Sequence, residues 1–489
     1  MTDLILVLDA GTTSTRAMAF ARDGAIRAVS QCEITQHYPQ PGWVEHDAQE
    51  IWEATLRCAR ECIAAAGGAQ NFAAIGITNQ RETVVAWDRT SGEPLARAIV
   101  WQDRRTAQFC DSLRAAGHEN AVQQATGLLL DPYFSATKMR WLLDNSGEVA
   151  AAAQTGALAF GTVESWLLWK LTGGAHVSDA SNASRTLLLA LDGAQFDPGL
   201  CDLFGIPRAA LAQVVDCAGD FGTTAPGLFD KPLAIRGLAG DQQAATVGQG
   251  CNAPGEVKAT YGTGAFVLAN MGTTLPRSRH RLLGTVLTQL AGKRTYALEG
   301  SVFVAGSLVK WLRDSLGLIA SAAETAALAA SVPDTGGVVL VPALSGLGAP
   351  HWRPEARAAL TGMSFATTRA HLARAALEAT ANQTRDLMDA FAADGAPWAS
   401  LKIDGGMSAN DWLAQDLANI LNIAVERPEM VETTALGAAM LAAVGSGWFT
   451  GLDAAAVAMR GPVVGFIPGM DAELRDARLK VWREAVAKV

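Results

Sequence analysis

Two segments half a chain apart repeat one plan. LVLDAGTTSTRAMAFA at 6–21 and VKATYGTGAFVLANMG at 257–272 each run an apolar strand into a Gly-Thr turn and out along a second apolar strand. Strands joined by so short a glycine-containing turn pair as an antiparallel hairpin. Its recurrence predicts two structurally related halves facing each other. The length agrees: 489 residues call for at least two cores at about 100–200 residues per domain. The turn-rich segment 248–256, Gly-Gln-Gly-Cys-Asn-Ala-Pro-Gly-Glu, reads as the connection. That places an N-terminal domain at 1–250 and a C-terminal domain at 251–489.

Short β-rich apolar runs at 4–8, 73–78, 83–87, 233–238, 338–342 and 401–403 alternate with helical patterns at 50–66, 372–391 and 411–421. In the last, Leu413, Leu417, Ile420 and Leu421 share one face. This alternation is that of α/β layers. Hydrophobic residues at 49% and charged residues at 18% exclude a disordered chain. A net charge of −9 argues against nucleic acid and anionic membranes as partners, while leaving room for a polyanion in a local pocket. Seven cysteines without a CxxC pair are expected as reduced thiols in a cytoplasmic protein. The N-terminal run lacks a basic leader region and reads as a strand. Uncharged 433–452 has an apolar core of ten residues, 435–444. That is short of the roughly 20 a membrane span needs, so a buried small-residue helix is expected.

No GxxxxGK[ST] is present, no GxGxxG opens a helix, and GxSxG and HExxH are missing. The seven histidines are scattered. What remains is a set of glycine turns bearing hydroxyls and charge. Asp9-Ala10-Gly11-Thr12-Thr13-Ser14-Thr15-Arg16 suits phosphate oxygens, through backbone N–H groups, hydroxyls and Arg16, with Asp9 near a hydrated Mg²⁺; it suits an ordinary hairpin turn equally. Asp241, after a strand and opening a small-residue helix, stands where α/β sheets place catalytic groups and also where an N-cap belongs. Arg81-Glu82 offers donors and acceptors to a polyhydroxy compound, or is a solvated strand end. Asp404-Gly405-Gly406-Met407-Ser408-Ala409-Asn410 permits close backbone approach to a ligand, or is a β–α turn capped by Ser408. Glycine, 48 residues against an ordinary share of about 7%, is concentrated in part at these turns.

In this order the segments resemble the FGGY carbohydrate kinases of the actin-like ATPase superfamily, over essentially the whole chain. The resemblance is carried by ITNQRETVVAWD (77–88), IVWQDRRT (99–106), DPYFSATKMRWLLD (131–144), NASRT (182–186), GDQQAA (240–245), TYGTGAF (260–266), LEGSVFVAG (298–306), SGLGAPHW (345–352) and DGGMSAND (404–411). It implies an α/β fold of two related actin-like (ribonuclease H-like) domains, each a mixed five-stranded sheet with flanking helices, closing over a central cleft. It implies ATP-dependent phosphorylation of glycerol to sn-glycerol 3-phosphate, with Mg²⁺, in a cytoplasmic dimer or tetramer.

The resemblance also implies residue roles. Arg81, Glu82, Tyr133, Asp241 and Gln242 match the polyol-binding positions, and Trp101 and Phe266 match aromatic walls. Asp241 matches the catalytic base. Thr12, Thr13, Ser14 and Arg16 match the first phosphate-binding turn, and Thr263 and Gly306 the second. Gly406 and Asn410 match the adenine side, and Asp9 the carboxylate near Mg²⁺. The chain departs from the family pattern at Ala10 and at Lys310, beside the nucleotide, both positions where Gln is common. It also lacks, at 221–232, the Gly/Lys/Arg loop that binds fructose 1,6-bisphosphate in some members, so that control is expected to be absent. Two alternatives are a family kinase of a tetritol or ketose, and a non-catalytic sugar-binding regulator.

Overall fold

A computed structural model of the chain describes residues 3–353 and 355–489; Met1 and Thr2 of the N-terminal run lie outside the described residues. The two repeated segments are hairpins. Leu4–Ala10 pairs antiparallel with Ser14–Ala21, and Glu256–Tyr261 with Ala265–Gly272. Each hairpin is the middle of a mixed sheet. In the first half the order is Ala234–Gly240, Phe72–Asn79, Leu4–Ala10, Ser14–Ala21, Ile26–Glu33. The first two strands run parallel to Leu4–Ala10.

The second half repeats that pattern as Val425–Pro428, Ser400–Asp404, Glu256–Tyr261, Ala265–Gly272, Lys293–Val302, with the corresponding strands parallel. Here the expected five strands are the common core of a seven-stranded sheet. Leu283–Leu290 turns tightly through Ala291 and Gly292, both at positive φ, into Lys293–Val302. Val463–Phe466 adds antiparallel to Val425–Pro428 at the other edge. Both additions satisfy backbone groups that an uncovered edge strand leaves open.

The run 5–8 is apolar without alternation because both faces of its sheet are covered. Leu6 and Leu8 face the helix Ala48–Ala65 through Ile51, Cys58 and Cys62. Ile5 and Val7 face the helix Thr433–Gly445 through Ala438, Leu441 and Ala442. The uncharged segment is therefore the buried small-residue helix its composition predicts. Among the described residues no helix is long and apolar enough to cross a membrane.

That helix comes from the second half yet packs on the first half's sheet and on the helix Asp241–Gly248. The two helices cross at glycines. A Cβ on Gly437 would stand 1.8 Å from the Ala244 carbonyl oxygen, and one on Gly248 would stand 1.9 Å from that of Thr433. Gly76 and Gly237 let the same helix lie directly on the strands beneath it. A further share of the glycine excess is thus explained by backbone packed against backbone.

Candidate active site

Arg81 and Glu82 sit just beyond the strand Phe72–Asn79, where Glu82 takes a left-handed φ of 61° that turns the chain away from the sheet. Asp241 follows the neighbouring parallel strand, so both groups emerge at the carboxyl ends of adjacent strands. The Arg81 guanidinium gathers the site. Its NH1 donates to Glu299 Oε2 at 2.7 Å and to Gln243 Oε1 at 3.3 Å, and its NH2 to the Tyr133 hydroxyl at 3.3 Å. Its Nε lies 3.3 Å from Asp241 Oδ1 and 3.8 Å from Glu82 Oε1.

Arg185 closes the ring, donating from Nε to Glu82 Oε1 at 2.6 Å and from NH2 to Glu299 Oε1 at 2.8 Å. The four side chains Arg81, Glu82, Arg185 and Glu299 are each at most 2% exposed, whereas Asp241 keeps 33%. Asp241 begins its helix behind Gly240 and caps nothing but its neighbour's N–H, Gln242 N, at 2.7 Å. The N-cap reading is therefore replaced: Gly240 is the cap, and the Asp241 carboxylate stays partly exposed with Oδ1 beside Arg81 Nε.

Burial raises the carboxyl of Asp241 above its ordinary value, against the pull of Arg81 and Lys258. Burial also raises Glu82. Glu299 is pushed up by burial, but Arg185 and Arg81 outweigh that and hold it down to about 2. The core of the site is thus a fixed set of charges, and Asp241 is its accessible member.

The Trp101 ring stacks edge-on against Tyr133 with centroids 5.6 Å apart. Its Nε1 donates to Thr12 Oγ1 at 3.0 Å, joining this region to the first turn. Phe266 is directly opposite Ser301 in the sheet, and Leu268 opposite Glu299. Phe266 therefore lies on the sheet face that carries Glu299, while Ala265 and Val267 pack into the core behind.

In the first turn, Gly11 O is held by Gln80 Nε2 at 3.0 Å and Thr12 O by Gln36 Nε2 at 3.0 Å. Thr13 is exposed and Ser14 half-buried. Ala10, where the family commonly has Gln, is 1% exposed and part of the core. Arg16 binds Asp9 Oδ2 at 2.5 Å and Glu432 Oε2 at 2.6 Å, so its charge is shared by two carboxylates. Burial raises the carboxyl of Asp9 despite Arg16.

In the second turn, exposed Thr263 accepts at its carbonyl from Ala305 N at 3.0 Å and Ser307 N at 3.0 Å. Gly306 N donates to Gly262 O at 2.8 Å, and a Cβ on Gly306 would stand 2.4 Å from that oxygen. Lys310 is exposed one turn further along the helix Gly306–Asp314.

The segment 404–410 differs from expectation in detail. Ser408 lies inside a short 3₁₀ turn, and Asn410 is the helix cap, accepting from Leu413 N at 3.0 Å and donating to Thr325 Oγ1 at 3.0 Å. Ser408 is not the cap because it lies within the 3₁₀ turn, ahead of the helix that starts at Asp411, and its hydroxyl donates to Gly405 O at 2.7 Å. The Asn410 side chain is therefore committed locally. Gly406 opens onto free space, with nothing within 4 Å of a Cβ built there.

Four charged groups at the site escaped the sequence reading: Arg185, Glu299, Lys258 and Glu432. Arg185 and Glu299 lie inside the quoted motifs NASRT and LEGSVFVAG, whose charges among small and apolar residues were the available signal. Among the described residues no group of three or more His, Cys, Asp or Glu is placed to hold a metal ion.

Two related α/β halves each offer a hydroxyl-bearing turn, and a buried charge cluster of Arg81, Glu82, Arg185 and Glu299 joins them. The models of the FGGY family of carbohydrate kinases match residues 4–248, for the N-terminal domain, and 257–446, for the C-terminal domain. The chain belongs to this family. It is 55% identical to the glycerol kinase of Rhodospirillum rubrum, covering 99% of this chain and 98% of that protein. It is 54% identical to that of Methylobacterium nodulans, over 99% and 98%. The crystal structure of Plasmodium falciparum glycerol kinase with ADP superposes with a TM-score of 0.95 at 35% identity, covering 100% of this chain and 98% of that one. The xylulose kinase of Rhodospirillum rubrum superposes with a TM-score of 0.87 at 26% identity, covering 99% and 98%.

Proposed function

We propose that this enzyme transfers the γ-phosphoryl group of ATP to glycerol, forming sn-glycerol 3-phosphate. The observation that carries the reading is the Arg81–Glu82–Tyr133–Asp241 arrangement, a compact array of donors and acceptors with one accessible carboxylate. It is joined through Trp101 to the turn at Thr12. Residues 1–250 supply the polyol site, the first turn and Asp241. Residues 251–489 supply the second turn at Thr263 and Gly306 and the adenine side around Gly406, with Lys310 nearby. The same family resemblance supports a homo-oligomer, a dimer or tetramer, and seven free cysteines suit a reducing cytoplasm.

In this scheme Arg81 and Glu82 orient two hydroxyls, and Trp101, Tyr133 and Phe266 pack against the carbon chain. Asp241 accepts the proton of the terminal hydroxyl as its oxygen attacks the γ-phosphorus; the bond to the β–γ bridging oxygen breaks and ADP leaves. Such a reaction needs positioning and charge neutralisation more than covalent chemistry. Thr12, Thr13 and Ser14 donate to phosphate oxygens from one side and Thr263 from the other. Arg16 joins them by exchanging a carboxylate for phosphate.

The residues fit a Mg²⁺ ion of the usual nucleotide-bound kind, held mostly by phosphates and waters, since no cluster of three or more carboxylate, His or Cys ligands forms among the described residues and Asp9 spends one oxygen on Arg16. When bound, the ion neutralises phosphate charge.

The test is ADP release over a panel of glycerol, erythritol and xylulose. Glycerol is expected to give the highest kcat/KM; a clear preference for either larger compound overturns the substrate assignment. Asp241→Asn is expected to lower kcat by about 10²–10⁴-fold while calorimetry still detects glycerol binding. Unchanged turnover refutes Asp241 as base, and turnover of none of the three leaves a binding protein.

A further inference from the structure

Lys258 lies in the first strand of the second hairpin, Glu256–Tyr261, and is fully buried. An ammonium carries three donors and no acceptor, and its burial is costly without compensation. Its hydrogen-bond acceptor among the described residues is Gln242 Oε1, at 2.6 Å. Burial lowers the Lys258 ammonium below its ordinary value, with Arg81 adding to this, while Asp404, Asp241 and Glu299 oppose it at longer range. Asp404 is already occupied, accepting from Thr260 Oγ1, from Gln249 Nε2 at 2.9 Å and from Thr433 Oγ1 at 2.7 Å. Lys258 therefore spends its one short contact on a side-chain amide next to Asp241.

The consequence falls on Gln242. A primary amide presents an acceptor on one side and donors on the other, and the two orientations are nearly equal in shape. An ammonium accepts nothing, so only the amide oxygen can face it; the flipped amide sets N–H against N–H. The nitrogen of Gln242 is thereby turned away from Lys258. We propose that Lys258 is a positioning residue that locks the Gln242 amide, so that a donor, not an acceptor, faces the polyol beside the acceptor Asp241. Neighbouring hydroxyls are then read as one that donates, to Asp241, and one that accepts, from Gln242. This deepens the function proposed above and rests on it. A Lys258 that merely balances nearby carboxylates makes no demand on Gln242, and the two cases separate in a mutant cycle.

Lys258→Met is made in the wild-type and Gln242→Ala backgrounds, with KM for glycerol, KM for ATP, kcat and Tm measured for each. The expected result in the wild-type background is a rise in KM for glycerol of about tenfold, the scale of one lost or reversed hydrogen bond, with KM for ATP unchanged. In the Gln242→Ala background the same substitution is expected to change KM for glycerol by less than about twofold, because the group through which Lys258 acts is gone. Equal effects in both backgrounds, or no effect on KM for glycerol in a folded Lys258→Met protein, overturn the proposal.

Gln242→Glu decides the matter should Lys258→Met fail to fold. It keeps an acceptor for Lys258 and preserves Tm, but presents no donor, so KM for glycerol is expected to rise by about tenfold or more. An unchanged or lower KM means that the amide shows its oxygen to the polyol, and the proposal fails. Absence of wild-type activity on glycerol overturns the function itself, and the cycle is then read on whichever polyol of the panel is turned over.

Discussion

Replacing Glu299 by glutamine removes one negative charge from a buried set of two guanidiniums and two carboxylates while preserving shape. The side chain is 1% exposed and binds Arg81 and Arg185 at 2.7 and 2.8 Å. Its carboxyl falls from an ordinary 4.5 to about 2 in the folded protein. At about 1.36 kcal/mol per pH unit this is a preference of about 3 kcal/mol for the charged form. Glutamine mimics the neutral form and also turns an N–H toward a guanidinium, so about 3 kcal/mol is the expected loss at pH 7, in line with breaking a buried ion pair.

The sign of the pH dependence follows. A lowered carboxyl contributes stability above its unfolded value that is lost as pH falls through its folded value, so wild type and Glu299→Gln differ fully at pH 7 and converge between about 4.5 and 2. Urea unfolding followed by tryptophan fluorescence at several pH values, with the denaturant slope checked for constancy, measures this. A loss below about 1 kcal/mol at pH 7, or a difference that does not shrink on acidification, refutes the account of the cluster. KM for glycerol is expected to rise in parallel, since Arg81 loses the partner that fixes NH1.

Other substitutions probe the remaining parts. Gly437→Ala puts a methyl 1.8 Å from the Ala244 carbonyl oxygen and is expected to cost about 1–3 kcal/mol of stability or more, read by denaturant midpoint; a neutral result means that the helices part freely. Glu432→Gln frees one side of Arg16 and is expected to lower KM for ATP by a few fold, the scale of a partly exposed ion pair; steady-state kinetics with varied ATP decides. Trp101→Phe keeps the aromatic wall but removes the bond to Thr12, so kcat is expected to fall about three- to tenfold with little change in KM for glycerol.

What was legible in the sequence was local. Each hairpin is encoded within sixteen consecutive residues, and strand ends bearing Asp9, Arg81 and Asp241 could be read as candidate sites from chemistry and position together. The charge cluster was not legible as a cluster, because Arg185 and Glu299 meet Arg81 and Glu82 across separations of more than a hundred residues, and Glu299 comes from the other half of the chain. Either one alone in sequence is an unremarkable charge in an apolar stretch. Helix caps at Gly240 and Asn410 were misplaced for a physical reason: several polar residues in each turn suit the role, and the loser is set by the backbone path. Glycines 248 and 437 look like poor helix residues until the facing helix shows why no side chain fits.

The helix Thr433–Gly445 bears on how the protein is made. The sheet face formed by Ile5, Val7, Ala74 and Ala239 is covered by it, yet the helix begins at Thr433 of 489 residues, so the ribosome delivers that cover only when most of the chain is already made. At about 5–20 residues per second, the first half waits tens of seconds with an apolar surface unroofed, and any premature stop before residue 433 leaves it so permanently. Truncated products of this chain are therefore expected to be chaperone clients, not independent N-terminal domains.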